Sequence, residues 1–570
     1  INWKPLGKGA PISRVINPKP SDIENLLKYR LVGFNNRRYD NHILYAILIG
    51  KTIPEVYQLS KNIINDNKKA LFGEAYNLSY TDIYDYASKK QSLKKWEIEL
   101  GLHHMELGLP WDKPVAEELW PMVSAYCDND VIATEAVWEA TQSDFKARQI
   151  LAEIAGMSVN DTTNALTTRF IFGSEKNPEL VCPDLSKEFD GYRFIKTYDE
   201  NTNKWKKENL YRGIDLGLGG YVYAEPGMYK NVALLDVESL HPNSAINLNA
   251  FGIYTDKFKQ IVDTRVLIKH NKYIEVRNLF DGKLEKYLKN ESDAKELSNA
   301  LKIAINSVYG LSSARFANPF KHPNNENNIV ALRGALFMKT LQDELTSLGY
   351  KVIHVKTDSI KIPDATKDVI NFCMGFAKKY GYTFEHQATY DRICLVNDAV
   401  YIAKYMPVSK CINLYGYSPK DNSDNDGQWT ATGAQFQVPY VFKKCFSKEP
   451  IIFEDLCETK EVKTVMYLDF NENLSVDEHD RRFLGRVGWL CPIKPGYGGA
   501  IVVRESLKKD NSVGYDAVVG TKGYRWMDAE KVKGTMEDAI DQNYYISLVD
   551  DAIETINKYG DYYSFVADDQ

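Results

Sequence analysis

The sequence has no C-x-x-C pair. Its eight cysteines stand singly at 127, 182, 373, 394, 411, 445, 457 and 491, which argues against a zinc or iron–sulfur module and for reduced thiols in a reducing compartment. It also lacks an apolar run long enough to span a bilayer and an opening secretory segment, so no membrane role is expected. Internal repeats and low-complexity tracts are missing as well, which excludes solenoids and linker arrays. A strong charge of either sign is absent: the formal net charge is −6 over 570 residues. That balance leaves nucleic acid open as a partner, because a locally basic groove decides such binding. The first residue is Ile, and an upstream segment is expected to have been lost.

Apolar and aromatic residues make up 44% of the chain and charged residues 26%, the proportions of a soluble globular protein. A chain of this length exceeds one hydrophobic core, so three or more domains are expected. Up to about residue 190, apolar runs such as RLVGFN and NHILYAILI read as strands between amphipathic helices, an α/β pattern. The polar stretch YDENTNKWKKEN reads as an exposed linker or hairpin. The apolar strand NVALLDVESLHP follows. From about 256 to 314 the pattern is that of an αα-hairpin with a polar break at KNESDAKE.

Three stretches carry chemistry. VIHVKTDSIK (352–361) alternates apolar and polar residues on both sides of a Thr-Asp-Ser turn, the signature of a β-hairpin that presents Asp358. Asp236 ends the strand NVALLD, where a carboxylate near free backbone amides can hold a metal and a phosphate, with Pro242 expected to halt regular structure. In LKIAINSVYG, Lys302, Asn306 and Tyr309 share one helix face, and Gly310 is placed to close the helix. Arg265 and Lys269 in TRVLIK lie four apart on the partner helix. Cations gathered on two helices call for an anion between them, and a triphosphate fits.

In that order, DVESLHP, KIAINSVYG and KTDS resemble the three polymerase motifs of family B DNA polymerases, D-x-x-S-L-Y-P, K-x-x-x-N-S-x-Y-G and D-T-D-S, in the bacteriophage branch. GFNNRRYDN, with Asn35, Tyr39 and Asp40, is similar to the family's second exonuclease motif. AYCDNDV, with Tyr126 and Asp130, is similar to the third. The resemblance implies a multidomain α/β and α+β protein. An RNase-H-like 3′–5′ exonuclease domain (1–190) would precede a linker and first part of the palm (191–255), a fingers helical hairpin (256–311), the palm (312–450) and a thumb (451–570).

It further implies DNA-directed DNA polymerase activity by two-metal nucleotidyl transfer, on primer–template DNA with dNTPs. Asp236, Val237 through its carbonyl, and Asp358 would hold two Mg²⁺ ions, with Mn²⁺ as a substitute. Arg265, Lys269, Lys302 and Asn306 would bind the triphosphate, opposite Ser239, Leu240 and His241. Tyr309 would face the nascent base pair, and His241 would exclude a ribose 2′-hydroxyl. Asn35, Asp40, Tyr126 and Asp130 would form the exonuclease site, with Asp40 and Asp130 as its metal ligands. A helicase or processivity factor and the cytoplasm of an infected bacterial host are further implications. A catalytically impaired homologue that binds primer–template as a scaffold is the alternative.

The sequence departs from the family pattern in several places. Lys356 stands where the first acid of D-T-D-S belongs. A D-x-E exonuclease motif has Asp22 and Glu24 as its one candidate, and these read better as part of an S-x-x-E capping box from Ser21, which leaves the exonuclease domain without its first strand. The Y-x-G-G element is GLGG, with Gly219, Gly220 and Tyr221 as candidate DNA contacts and Gly217 in the tyrosine position. The K-x-Y element is AVY, with Ala399 for the lysine and Tyr401 retained. Lys356 is expected to take over from that lysine on the primer phosphate. Toward the C-terminus, Lys494, Arg504, Lys522 and Arg525 among Gly-rich turns are candidate DNA contacts.

Overall fold

The computed structural model describes residues 1–471 and 479–567. The chain forms two compact units, one from Ile1–Leu166 with Leu456–Gln542 and the other from Thr167–Asp455 with Asn543–Gln570. The stretch expected as a single thumb, 451–570, is thus shared between both. Among the described residues no helix is long and apolar enough to cross a membrane.

The second unit is built on a seven-stranded antiparallel sheet. Its order is Trp429–Thr432, Tyr401–Tyr405, Phe384–Leu395, Gly227–Val237, Ser359–Ile362, His354–Lys356 and Val222–Ala224. Gly227–Val237 lies at the centre, and its run VALLDV is apolar on both faces because both are covered. On one face packs Ile329–Ser347, a helix whose residues 329–342 are all buried, with Phe337 against Phe376, Tyr382 and Phe384. It approaches the helix Leu240–Asn247 at Gly334, where a Cβ would stand 2.8 Å from Leu240. The other face carries Val232, Leu234, Ala388, Tyr390, Ile393 and Leu395, flanked by the half-buried Tyr229, Tyr401 and Tyr405. The C-terminal helices Gln542–Asn557 and Tyr562–Val566 close a further core with Phe436, Cys445 and Phe446.

The expected αα-hairpin is present as Thr255–Lys269 and Glu291–Ser312, with a longer connection than anticipated. The polar break lies in 270–290, and Asn290 caps the second helix by accepting from the Asp293 amide, so most of KNESDAKE is helical. Gly310 lies inside that helix, which runs on to Ser312. Pro242 does not halt structure either. It sits in the first turn of Leu240–Asn247, where no helical amide is required, and Ser239 at φ +58° makes the bend.

In the first unit, the described strands within 1–166 are two short pairs: Asn2–Trp3 with Ser13–Arg14, and Val32–Gly33 parallel to Thr81–Asp82. NHILYAILI, read as a strand, belongs to the helix Asp40–Leu48. A short apolar run fits either state when its surroundings are apolar. The helix near Asp22 starts at Pro20, with Lys19 as its cap, and the Lys19 amide donates to Asp22 at 2.7 Å. Asp22 therefore fills the capping role assigned to Ser21 and Glu24, because Pro20 fixes the start one residue earlier. Residues 456–542 contribute an antiparallel sheet in the order Val513–Ala517, Ile501–Leu507, Glu458–Asp469, Arg481–Ile493, Arg525–Asp528.

Candidate active site and a second carboxylate recess

The hairpin read from VIHVKTDSIK is present, with Lys356 opposite Ser359 and a two-residue turn of Thr357 and Asp358. Thr357 adopts φ +56°. A β-branched residue there is strained, and its surroundings fix it: its amide donates to the Tyr221 carbonyl at 3.0 Å, and Gly220 lies so close that an added Cβ would be 3.2 Å from its side chain. Ser359 pairs with Asp236 on the central strand, and the Val237 amide donates to the Asp358 carbonyl at 2.8 Å. Two strands thus bring Asp236 and Asp358 together through their backbones.

The pairing has an electrostatic cost. Burial, then the charge of Asp358, then that of Glu385 raise the Asp236 carboxyl to about 7, against the pull of Lys269 and Lys361. Burial also raises Asp358. Two acids forced together at the end of a strand have the donor chemistry of a site for hard divalent cations such as Mg²⁺ or Mn²⁺, whose charge offsets the repulsion. Among the described residues no group of three or more His, Cys, Asp or Glu is arranged to hold one ion. The cation-site reading therefore rests on Asp236 and Asp358.

Glu385, which the sequence reading missed, sits directly across from Asp236 on Phe384–Leu395. Its partner is Lys269, whose Nζ donates to it at 2.8 Å and lies 3.7 Å from Glu238. Arg265, one turn back, is half-buried, and its Nε has no hydrogen-bond partner. Lys302 and Asn306 are exposed along one face of the second helix, with Tyr309 half-buried beyond them. Tyr309 stacks on His241, ring centroids 4.1 Å apart and planes within 2°. Burial lowers the His241 imidazole to about 4, which keeps it neutral, and its Nδ1 has no hydrogen-bond partner. Ser239 and Leu240 form the start of the same helix, and Leu240 is buried in the core.

Three expected DNA contacts look different in place. The Tyr221 phenol is buried and donates to Gln342 at 2.6 Å, so it contributes to the turn through its carbonyl. Lys356 is exposed and makes no ion pair among the described residues, and Ala399 is likewise exposed. Tyr401 carries the ammonium of Lys361 over its ring at 4.8 Å. Lys361, absent from the sequence reading, is buried, hydrogen-bonds His354 Nδ1 at 2.9 Å, and is lowered to about 8 by burial and by Lys356. A lysine buried two residues past a Thr-Asp-Ser turn leaves no trace in hydropathy.

In the other unit, Asp40 begins the helix Asp40–Leu48 in a recess. Asp40 is exposed at the helix start, yet desolvation by the surrounding protein, then the charges of Asp82 and Asp130, raise its carboxyl to about 6. Asp130 lies on Trp120–Ala140 and is bound by Lys94 at 2.6 Å. The same ammonium bonds the fully buried Glu97 at 2.9 Å and lies 4.3 Å over the Tyr126 ring. Asn35 adopts φ +57°, its amide donating to Asp82. The short strand Asn2–Trp3 meets the Asp130 helix through Asn2, which donates to Asp128, and Lys4 next to it pairs with Glu135. These neighbours bring an amide and an ammonium rather than carboxylates. Asp130 is thus already neutralised from within the chain, and its donor set does not fit a cation while Lys94 is in place.

In the sheet of 456–542, Lys494 and Arg525 donate to the backbone oxygens of Asp538 and Gly499, while Arg504 and Lys522 are exposed.

No protein-family model matches this chain, and neither does any curated protein. Among solved structures it is similar to the family B DNA polymerase of the hyperthermophilic archaeon Pyrobaculum calidifontis, with 12% sequence identity and a TM-score of 0.41, over 96% of this chain and 73% of that one.

Proposed function

We propose that this chain is a DNA-directed DNA polymerase of the family B kind that extends a primer on a template. The observation that carries the reading is the backbone-enforced pairing of Asp236 with Asp358, together with the motif order from DVESLHP to KTDS. Asp236 and Asp358 would hold two Mg²⁺ ions, and the ions would supply charge to activate the primer 3′-hydroxyl and to stabilise the departing pyrophosphate. Arg265, Lys302 and Asn306 would receive the triphosphate. Lys269 reaches it by exchanging Glu385 for a phosphate oxygen, and a strand-mounted Glu385 holds that lysine ready meanwhile. The stacked, neutral pair of His241 and Tyr309 offers a flat apolar wall to the sugar and base. The exonuclease-like recess, with Asp130 bound to Lys94, is read as a structural ion-pair network and not as a working nuclease.

Primer extension with each dNTP, with Mg²⁺, Mn²⁺ or EDTA, tests the reading. Template-matched extension that needs the metal and is lost in Asp358→Asn is the expected result. Tight primer–template binding without extension in either metal would instead establish the scaffold alternative, which the replacement of an acid by Lys356 favours.

A further inference from the structure

Residues 193–211 form a two-stranded ribbon, Arg193–Asp199 paired with Lys204–Tyr211, whose outer two-thirds is open to solvent on both faces. The third strand of this sheet, Ile214–Asp215, pairs only with Leu210–Tyr211, so beyond its base the ribbon is two-stranded and has little apolar surface to bury. Yet one face presents Phe194, Tyr198 and Trp205, the last two 46% and 57% exposed, interleaved with Lys196 and Lys207. Tyr198 meets Trp205 edge to face at 5.2 Å, and Lys196 sits 5.1 Å over the Trp205 ring. Five cations against three acids between 193 and 210 give the ribbon a positive excess in a chain of net charge −6.

Its base is held firmly and leads to the active site. Lys196 and Lys207 stand opposite each other and share Glu326, at 2.8 and 3.0 Å. The buried Asn209 donates to the Gly217 carbonyl at 2.7 Å and accepts from the Tyr192 phenol. Asn328, two residues past Glu326, donates to the Leu218 carbonyl at 2.9 Å and lies 3.5 Å from the Tyr309 phenol. Gly220, three residues past Gly217, abuts Thr357 in the catalytic turn. The ribbon is therefore rooted in the segment that supports both Tyr309 and Asp358.

We propose that this ribbon is a stacking platform for single-stranded nucleic acid, taking the unpaired template ahead of the active site. Exposed rings offer faces to bases, and the interleaved lysines bring positive charge beside them, a combination that binds strands with little regard to sequence. The inference rests on the polymerase reading for the identity of the strand, and on the ribbon alone for the chemistry.

The test compares the parent with Trp205→Ala, Tyr198→Ala, the double variant and Trp205→Phe. Fluorescence anisotropy would be read on primer–templates with 2- or 12-nucleotide 5′ overhangs, and on free DNA and RNA strands of the longer length. The parent is expected to bind the long overhang more tightly than the short one. Each alanine should cost the long overhang about tenfold, the double variant should bind both overhangs alike, and Trp205→Phe should retain most of the affinity. Lys207→Ala should lower the salt slope by about one. Comparable losses on RNA would also support the platform, since ring faces do not read the sugar. A double variant that binds the long overhang as the parent does, with an unchanged melting curve, overturns it. So does a parent that binds only duplex. Extension on the short overhang reports on the polymerase reading separately, because it is read as turnover and not as a gain in affinity from a longer overhang.

Discussion

Replacing Asp236 by Asn should stabilise the protein at neutral and alkaline pH while abolishing primer extension. The carboxyl rises from 3.8 to about 7 because it is buried and faces Asp358 and Glu385. At 1.36 kcal/mol per pH unit this is about 4 kcal/mol. A side chain still partly open to water is screened, and half that value, about 2 kcal/mol, is the sounder expectation. The sign follows from proton binding. Between pH 4 and 7 the folded parent holds a proton that the unfolded chain has released, so the parent loses stability as pH rises through that window. Below pH 4 both states are protonated and the term vanishes. Asn carries no such charge, so the variant should match the parent near pH 4, gain on it up to pH 7, and keep a constant advantage of about 2 kcal/mol beyond. Urea denaturation of the metal-free protein at pH 4.5, 6, 7 and 8.5 measures this directly. Mg²⁺ should narrow the gap by stabilising the parent alone. A variant that is less stable than the parent at pH 8.5, or an offset independent of pH, would refute the claim that the two acids are held in repulsion.

Three further outcomes are expected. Lys94→Ala takes one cationic partner from the buried Glu97, leaving it His104 at 3.1 Å, and should cost about 1 to 3 kcal/mol in denaturation, with Glu97→Gln in the same chain restoring part of it; single-stranded DNA should stay intact with parent and Asp130→Ala alike over hours on a gel. His241→Ala removes the stack on Tyr309, worth about 1 kcal/mol, and should raise ribonucleotide over deoxyribonucleotide incorporation in single-turnover assays. Lys356→Ala should weaken primer–template affinity measured by anisotropy, and adding Ala399→Lys should recover most of the loss.

How far the sequence could be read depended on how local the determining contacts were. The hairpin at 354–362 was legible because alternation and turn chemistry both lie within ten residues. The cationic helix faces were legible through their four-residue spacing. The helix Asp40–Leu48 was misread because its apolar run has no period of its own and takes its form from tertiary contacts. Glu385 was invisible for another reason: its relation to Asp236 is a strand pairing across almost 150 residues, past a register shift at His386–Ala388. Lys94 and Lys361 look like any surface lysine until the fold surrounds them.

The first unit is assembled from two stretches of chain, and residue 542 follows residue 166 by 376 positions. During synthesis at about 5 to 20 residues per second, the early stretch must wait roughly 20 to 75 s for its complement. Over that interval His104 lacks both the Val487 carbonyl and Glu530, which its Nε2 and its backbone amide later meet at 3.1 and 2.5 Å. The early stretch thus stays half built while the intervening residues are made, which makes it a natural client of chaperones that shield incomplete cores. It also makes the rate of translation through 167–455 a determinant of yield that no property of the finished molecule reveals.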